Sequence, residues 1–301
     1  MSEDGIQIED SGFDRVLGFT IPDRNARGRI VRLGPVLDEV LSSHSYPVAT
    51  RQLLAEALTL SALLGSLLKD DGSQLTMQAH SEDGIVQLLV CDYRSGELRG
   101  YVMHDPERLA ALEVMPSLSE LFGKGYLAIT FDIGETGQRY QGIVPLEGDS
   151  LAEACEAYFA QSEQVPTLLR IGVRFSRSGT VAGGMLVQHL ADGEEGRERL
   201  HVRMDHPEWE HVSIMAGSVT KEELIDGGLS LEQVVWRLFH DEGEIRVEPR
   251  HLLTKGCRCN ADHYRDVLSR FPQVEVDDMR GDDGSITVDC AFCSKLFHIE
   301  F

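Results

Sequence analysis

LLRIGVRFSRSGTVAGGMLVQHL, residues 168–190, shows how this chain is built. Two apolar runs, Leu168 to Phe175 and Val181 to Leu190, flank Arg177-Ser178-Gly179. Runs of strand-forming residues on either side of a glycine-bearing turn predict a β-hairpin. The pattern recurs upstream. Gln74 to His80 follows Asp71-Gly72, Ile85 to Cys91 and Leu98 to Met103 flank Arg94-Ser95-Gly96, and Leu127 to Ile133 and Arg139 to Val144 flank Gly134-Glu135-Thr136-Gly137. Strands joined this tightly must run antiparallel, because parallel neighbours need a long crossover.

Helices interrupt the hairpins without regular alternation. Val36, Leu37, Val40 and Leu41 fall at helical spacing after Pro35, and a strongly apolar helix is predicted from about Ala49 to Leu68. Ser150 and Glu153 have the spacing of a capping box, opening a helix with Leu151, Ala154, Cys155, Tyr158 and Phe159 on a buried face. This combination predicts an α+β class: an N-terminal domain of helices and antiparallel sheet over residues 1–191. The pair Gly183-Gly184 has no strand-turn-helix context for phosphate and is read as permitting a bulge or close backbone approach.

Residues Asp192 to Arg199, polar and broken by Gly193 and Gly196, open a helical linker segment assigned to 192–250. Pro207, Thr220 with Glu223, and Ser230 with Gln233 mark three helix starts, and Gly217, Gly227-Gly228 and Gly243 interrupt. Helices this short are marginal alone and must dock an apolar face, expected from Trp209, Val212, Val235, Trp236, Leu238 and Phe239.

The remainder, 251–301, is expected to form a small C-terminal domain: a helix carrying Tyr264, Val267, Leu268 and Phe271 and stopped by Pro272, then a strand from Ser285 to Val288. About fifty residues cannot comfortably hold a fold by burial alone, so a staple is required. Four of the six cysteines supply one: Cys257-x-Cys259 and Cys290-x-x-Cys293. Zinc takes four soft ligands near a tetrahedron, and each tight pair offers two thiolates from one turn. The expected metal is Zn2+, held by Cys257, Cys259, Cys290 and Cys293 in a closed site with no position for a catalytic water. His251, His263 and His298 are nearby substitutes that four cysteines make unnecessary. Three readings of the cluster stand side by side: an inert staple, a dithiol catalyst and a reversible redox sensor. The catalyst would need its Cys-x-x-Cys at a helix N-terminus, whereas Cys290 follows a strand.

Bulk properties narrow the function. Among 301 residues, 42% apolar and 26% charged, there is no uncharged apolar run of membrane-spanning length; Gln52 to Leu68 contains Glu56. The acidic start, Ser2, Glu3, Asp4, Glu9 and Asp10, is unlike a signal or transit peptide, so a cytoplasmic location is expected. A net charge of -22 argues against nucleic acid, whose binding depends on Lys and Arg meeting phosphates. Cys91 and Cys155 fall on apolar faces and are read as core residues, and Glu163 as fixing a loop. No acid–base or Ser-His-Asp set is recognisable, so no catalytic residue, no organic cofactor site and no enzymatic activity are expected.

Arg139-Tyr-Gln-Gly142, Leu146-Glu-Gly-Asp149, Tyr158-Phe-Ala-Gln-Ser-Glu-Gln-Val-Pro-Thr167, Ala182-Gly-Gly-Met-Leu186, Val235-Trp-Arg-Leu238 and the two cysteine pairs in that order resemble the redox-regulated heat-shock holdase family, the 33-kDa chaperonins, over nearly the whole chain. The resemblance implies an ATP-independent chaperone. Such a chaperone is quiescent while reduced and zinc-loaded, and after oxidation it binds unfolding client proteins. It implies that Cys257 pairs with Cys259 and Cys290 with Cys293 in the oxidised form, and that the active form is a homodimer. The alternative is a zinc-stapled module that binds a fixed partner constitutively.

Overall fold

A computed structural model describes residues 12–112, 115–190, 206–281 and 283–300, apart from the side chains of 249–251. The acidic start and the expected linker at 192–199 lie outside the described residues. In chain order the elements are β1 (Arg15–Ile21), β2 (Ala26–Leu33), α1 (Pro35–Leu41), α2 (Val48–Gly65), β3 (Gln74–Ser81), β4 (Val86–Arg94), β5 (Glu97–His104), α3 (Pro106–Ala110), α4 (Leu118–Phe122), β6 (Gly125–Asp132), β7 (Arg139–Pro145), α5 (Leu151–Tyr158), β8 (Thr167–Ser176) and β9 (Gly179–His189). Then follow α6 (Pro207–Gly217), α7 (Lys221–Ile225), α8 (Leu231–Phe239), β10 (Arg246–Leu252), β11 (Thr254–Lys255), α9 (Ala261–Leu268), α10 (Gln273–Asp278), β12 (Ser285–Asp289) and β13 (Leu296–Glu300). The class is α+β, and each expected hairpin is present.

Two sheets face one another across a helical layer. One has the order β10-β1-β2-β9-β8, the other β11-β5-β4-β3-β6-β7; every pairing is antiparallel except β11 with β5. The central helix is α2, buried all round from Leu53 to Gly65 save for Glu56, which is why its sequence lacks an amphipathic stripe. Asp14 is a distant cap for α1, its carboxylate accepting from the Gly34 and Val36 amides at 2.8 and 3.1 Å. Ser150 caps α5 as expected, but Glu153 reaches the amide of Asp149 at 2.9 Å, so the capping box is half-formed. Glu163 accepts from the Tyr158 hydroxyl at 2.7 Å and so ties down the turn after α5.

The five-stranded sheet is buried on both faces, and its alternation shows why. Val16, Val31 and Leu186 point into the main core, whereas Leu17, Ile30, Met185 and Val187 point the other way into a second core closed by α6, α7 and α8. Gly183 and Gly184 make this two-sided packing fit. A Cβ on Gly183 would stand 2.1 Å from the Leu224 carbonyl oxygen of α7, and one on Gly184 2.9 Å from Thr59 and Leu63 of α2. Buried Arg32 reaches across the sheet to donate to the carbonyls of Leu224 and Leu229 at 2.9 and 2.6 Å. At the other end Arg24 pairs with Glu208 and Glu242, and His211 meets Glu242 at 2.7 Å.

The linker helices therefore dock as expected, with one correction. Trp209, Val212, Val235, Leu238 and Phe239 are buried, but Trp236 is 61% exposed and lies against His240. One helical position past Val235 is a rotation of roughly 100°, which carries Trp236 off the docking stripe. Residues 246–252, which straddle the expected boundary at 250, form β10, a strand of this same sheet paired with β1. The turns read in the sequence mark the β4–β5, β6–β7 and β8–β9 hairpins; β10 has none because its partner is more than two hundred residues away.

Candidate metal centre

β10 hands the chain through buried Leu253 to β11, whose two residues run beside β5. The Thr254 and Gly256 amides donate to the Gly96 and Leu98 carbonyls at 3.0 and 2.9 Å. Glycine is needed at 256, where a Cβ would stand 2.4 Å from the Glu97 side chain. Cys257 thus leaves directly from the sheet edge. Asn260 then opens α9, its Oδ1 accepting from the His263 amide at 2.8 Å. The second cysteine pair sits in the turn between β12 and β13. The Cys293 and Ser294 amides donate to the Cys290 carbonyl at 3.2 and 2.8 Å, and Ser294 closes the turn with φ 56°.

These two turns bring the four sulfurs together, all within 4.8 Å of one another, as the sequence pairing anticipates. Cys257 lies 3.4 Å from Cys259 and 3.6 Å from Cys290, and Cys259 lies 3.6 Å from Cys293. All four cysteines are free. A tetrahedron with metal–sulfur bonds of about 2.3 Å has edges of about 3.8 Å, so the donor set is sized for a tetrahedral thiolate-bound ion. Among the described residues the cluster contains no histidine. His298 instead shares a hydrogen bond with Thr287 at 3.2 Å, His263 packs on Tyr264, and the His251 side chain lies outside the described residues.

The thiols differ electrostatically. Burial pushes the Cys290 thiol up, but hydrogen bonds from the Tyr264 hydroxyl and the Phe292 and Cys293 amides outweigh it and bring the group down to about 7. Burial raises Cys259, with hydrogen bonding to the neighbouring thiols adding to it, and burial also raises Cys293, opposed by a hydrogen bond from the Lys295 amide. A divalent cation reverses that sign, since ligation requires the thiolate. Cys91 and Cys155 belong to the main core and not to this cluster, fully buried with thiols pushed upward by burial, as their apolar faces predict.

Around the four sulfurs the core is thin: Leu268, Val276, Ile286, Cys290, Phe297 and Ile299 are the buried members of its apolar cluster among the described residues. α9 ends at Leu268, before the expected Phe271, and Val267 and Phe271 are 36% and 43% exposed while Leu268 is buried. The unit leans on the six-stranded sheet and on the loop between α1 and α2. Arg258, between the first two cysteines, donates to Gln74 at 3.0 Å and pairs with Asp92 and Glu97 at 3.7 and 3.5 Å. Phe292, between the second two, meets Tyr101 edge-on with ring centroids 4.9 Å apart, under the Arg99 guanidinium at 4.0 Å. His44 bonds the Ala291 carbonyl at 2.9 Å, and Ser294 donates to the Ser43 carbonyl at 2.6 Å. Sequence reasoning missed these contacts. The signal available was the pair of residues enclosed by the cysteines, an arginine and a large aromatic, neither of which a four-sulfur site needs.

Comparison with known proteins agrees with this architecture. The family model described as Hsp33 protein matches residues 14–300. The chain is 40% identical over 295 residues to a 33 kDa chaperonin of Caulobacter vibrioides, covering 95% of each, and 36% identical to one of Azotobacter vinelandii, covering 96% of this chain and 93% of that one. A crystal structure of a 33 kDa chaperonin from Thermotoga maritima shares the fold with a TM-score of 0.75 at 23% identity, covering 95% of each chain. No helix among the described residues is long and apolar enough to cross a membrane. With the two-sheet core, the docked helices and the four-cysteine cluster in place, these matches establish that the chain belongs to the Hsp33 family of chaperones.

Proposed function

We propose that this protein is a redox-regulated, ATP-independent holdase of the cytoplasm. It is quiescent when Cys257, Cys259, Cys290 and Cys293 hold Zn2+, and active toward unfolding client proteins after those cysteines oxidise to Cys257-Cys259 and Cys290-Cys293 disulfides. The observation that carries this reading is the pairing of a tetrahedron-sized sulfur cluster with a unit whose apolar cluster has only six buried members among the described residues. When bound, zinc supplies a charge that holds four thiolates together and so folds the unit. Each disulfide forms as two thiolates give two electrons to the O–O bond of one hydrogen peroxide, which takes up two protons and leaves as two waters. A disulfide sulfur lacks the negative charge that ligation needs, so the unit loses its staple.

The functional division follows 1–191 as the core, 192–250 as the cover and 251–301 as the switch. Helices α6 to α8 rest on a different sheet from the cysteine unit, so their release is a second step, transmitted through β10, which joins the two. Uncovering the second core exposes Leu17, Phe19, Ile30 and Met185 to clients, and a patch of that kind also favours self-association into a dimer.

The deciding experiment compares suppression of client aggregation by reduced and peroxide-oxidised protein, with released metal followed by a colorimetric chelator. The expected outcome is suppression by the oxidised form alone, with one zinc released per chain. Equal suppression by both forms would instead identify a constitutive zinc-stapled binding module. After oxidation with mild heat, tryptophan emission should shift chiefly through Trp209, because Trp236 is already exposed.

A further inference from the structure

The contacts of Phe292 assign it a role that metal ligation does not require. Its ring supplies no ligand atom; it packs partly on the cysteine unit's own apolar cluster and reaches from there to Tyr101 and Arg99 of β5. Arg99 is itself held: its guanidinium binds Asp92 at 2.5 Å, and the Asp92 carboxylate, 4% exposed, also accepts from Thr76 at 2.8 Å. Arg258 of the other cysteine pair approaches the same carboxylate at 3.7 Å. Both cysteine turns therefore converge on one buried anion in the six-stranded sheet, one through an aromatic ring on an arginine and one through an arginine directly. A surface contact made only for packing would not need a buried carboxylate behind it, since such a group is costly to desolvate unless paired.

We propose that Phe292 is the bolt of an autoinhibitory clasp. It is presented to Arg99 and Tyr101 only while the Cys290 to Cys293 turn keeps its ligating shape, and it is withdrawn when that turn oxidises, freeing the cysteine unit from β4 and β5. Forming the Cys290-Cys293 disulfide brings the two sulfurs to about 2.05 Å, which reshapes the turn that carries the ring. The electrons go to hydrogen peroxide, as above. The withdrawal step rests on the redox reading; the clasp itself is a property of the reduced protein and is testable without any client.

The test uses the full-length, reduced, zinc-loaded protein and the variants F292A, F292Y, R99A and the double variant R99A/F292A. Two readouts report docking: hydrogen exchange at the Thr254 and Gly256 amides, which bond to β5, and tryptic cleavage after Arg258. F292A and R99A are expected to keep one zinc per chain and to raise both rates about tenfold, the scale of a desolvated cation–π contact. F292Y, which preserves the ring, should match wild type, and the double variant should exceed the stronger single variant by less than twofold. Rates within twofold of wild type in both zinc-loaded single variants would overturn the clasp, as would multiplicative effects in the double variant. Loss of zinc from reduced F292A would also overturn it, because the ring would then belong to what holds the ligands. Failure of oxidised wild type to suppress aggregation would refute the holdase reading and leave these exchange results standing.

Discussion

Two regions of similar length, the linker helices α6 to α8 and the cysteine unit, lie on different sheets and are held by different physics. The helices bury Trp209, Val212, Ala216, Leu224, Leu231, Val234, Val235, Leu238 and Phe239 against a complementary sheet face. The cysteine unit buries far less, and its four sulfurs stand where side chains would otherwise have to pack. The difference shows where a switch can be placed. A region held by apolar burial responds to temperature and denaturant, whereas one held by ligation responds to whatever attacks the ligands.

On the proposed zinc-bound reading, stripping the metal is the largest perturbation of this contrast. Structural zinc is worth about 10–16 kcal/mol in small metallo-domains, so a strong chelator should abolish amide protection across 256–300 while β1, β2, β9 and α8 stay protected. Simultaneous loss from both regions in hydrogen-exchange mass spectrometry would show that they form one cooperative unit. The converse test is Phe239→Ala, which removes a fully buried ring tilted against Phe19 with centroids 5.8 Å apart. It should cost about 3–5 kcal/mol in denaturant unfolding of the helical region and leave the zinc content at one per chain.

Smaller changes sharpen the comparison. Arg32→Leu deprives the Leu224 and Leu229 carbonyls of their donor and is expected to destabilise the linker by about 2 kcal/mol, read as a lower urea midpoint for α7 and α8. Ser230→Ala breaks the capping box of α8 and should cost about 1 kcal/mol by the same measurement.

The smallest effect is that of pH. Burial would raise the Glu242 carboxyl, but hydrogen bonds from Arg24 and His211 outweigh it and hold the group below the ordinary value of 4.5. A carboxyl depressed in the folded state contributes stability above its unfolded value that is lost as pH falls through the folded one. The linker midpoint should therefore decline below about pH 4.5, and less so in Glu242→Gln.

Much of this protein is legible in its sequence because the signals are local. Hairpin turns such as Arg94-Ser95-Gly96, where Ser95 and Gly96 both take positive φ, and caps such as Thr220 with Glu223 are fixed by a few adjacent residues, and the structure reproduces them. The cysteine spacing gave the sulfur cluster for the same reason, as each pair lies in one turn. β10 and the Phe292, Arg99 and Asp92 contacts were not legible, since their partners are distant in sequence and no spacing relates them. Trp236 was misplaced because composition names apolar residues but not the side of a helix they face. Local chemistry, then, determined the elements, the caps and the donor set. Only the tertiary packing decided which sheet each region leans on, because that choice depends on shape and buried charge assembled from the whole chain.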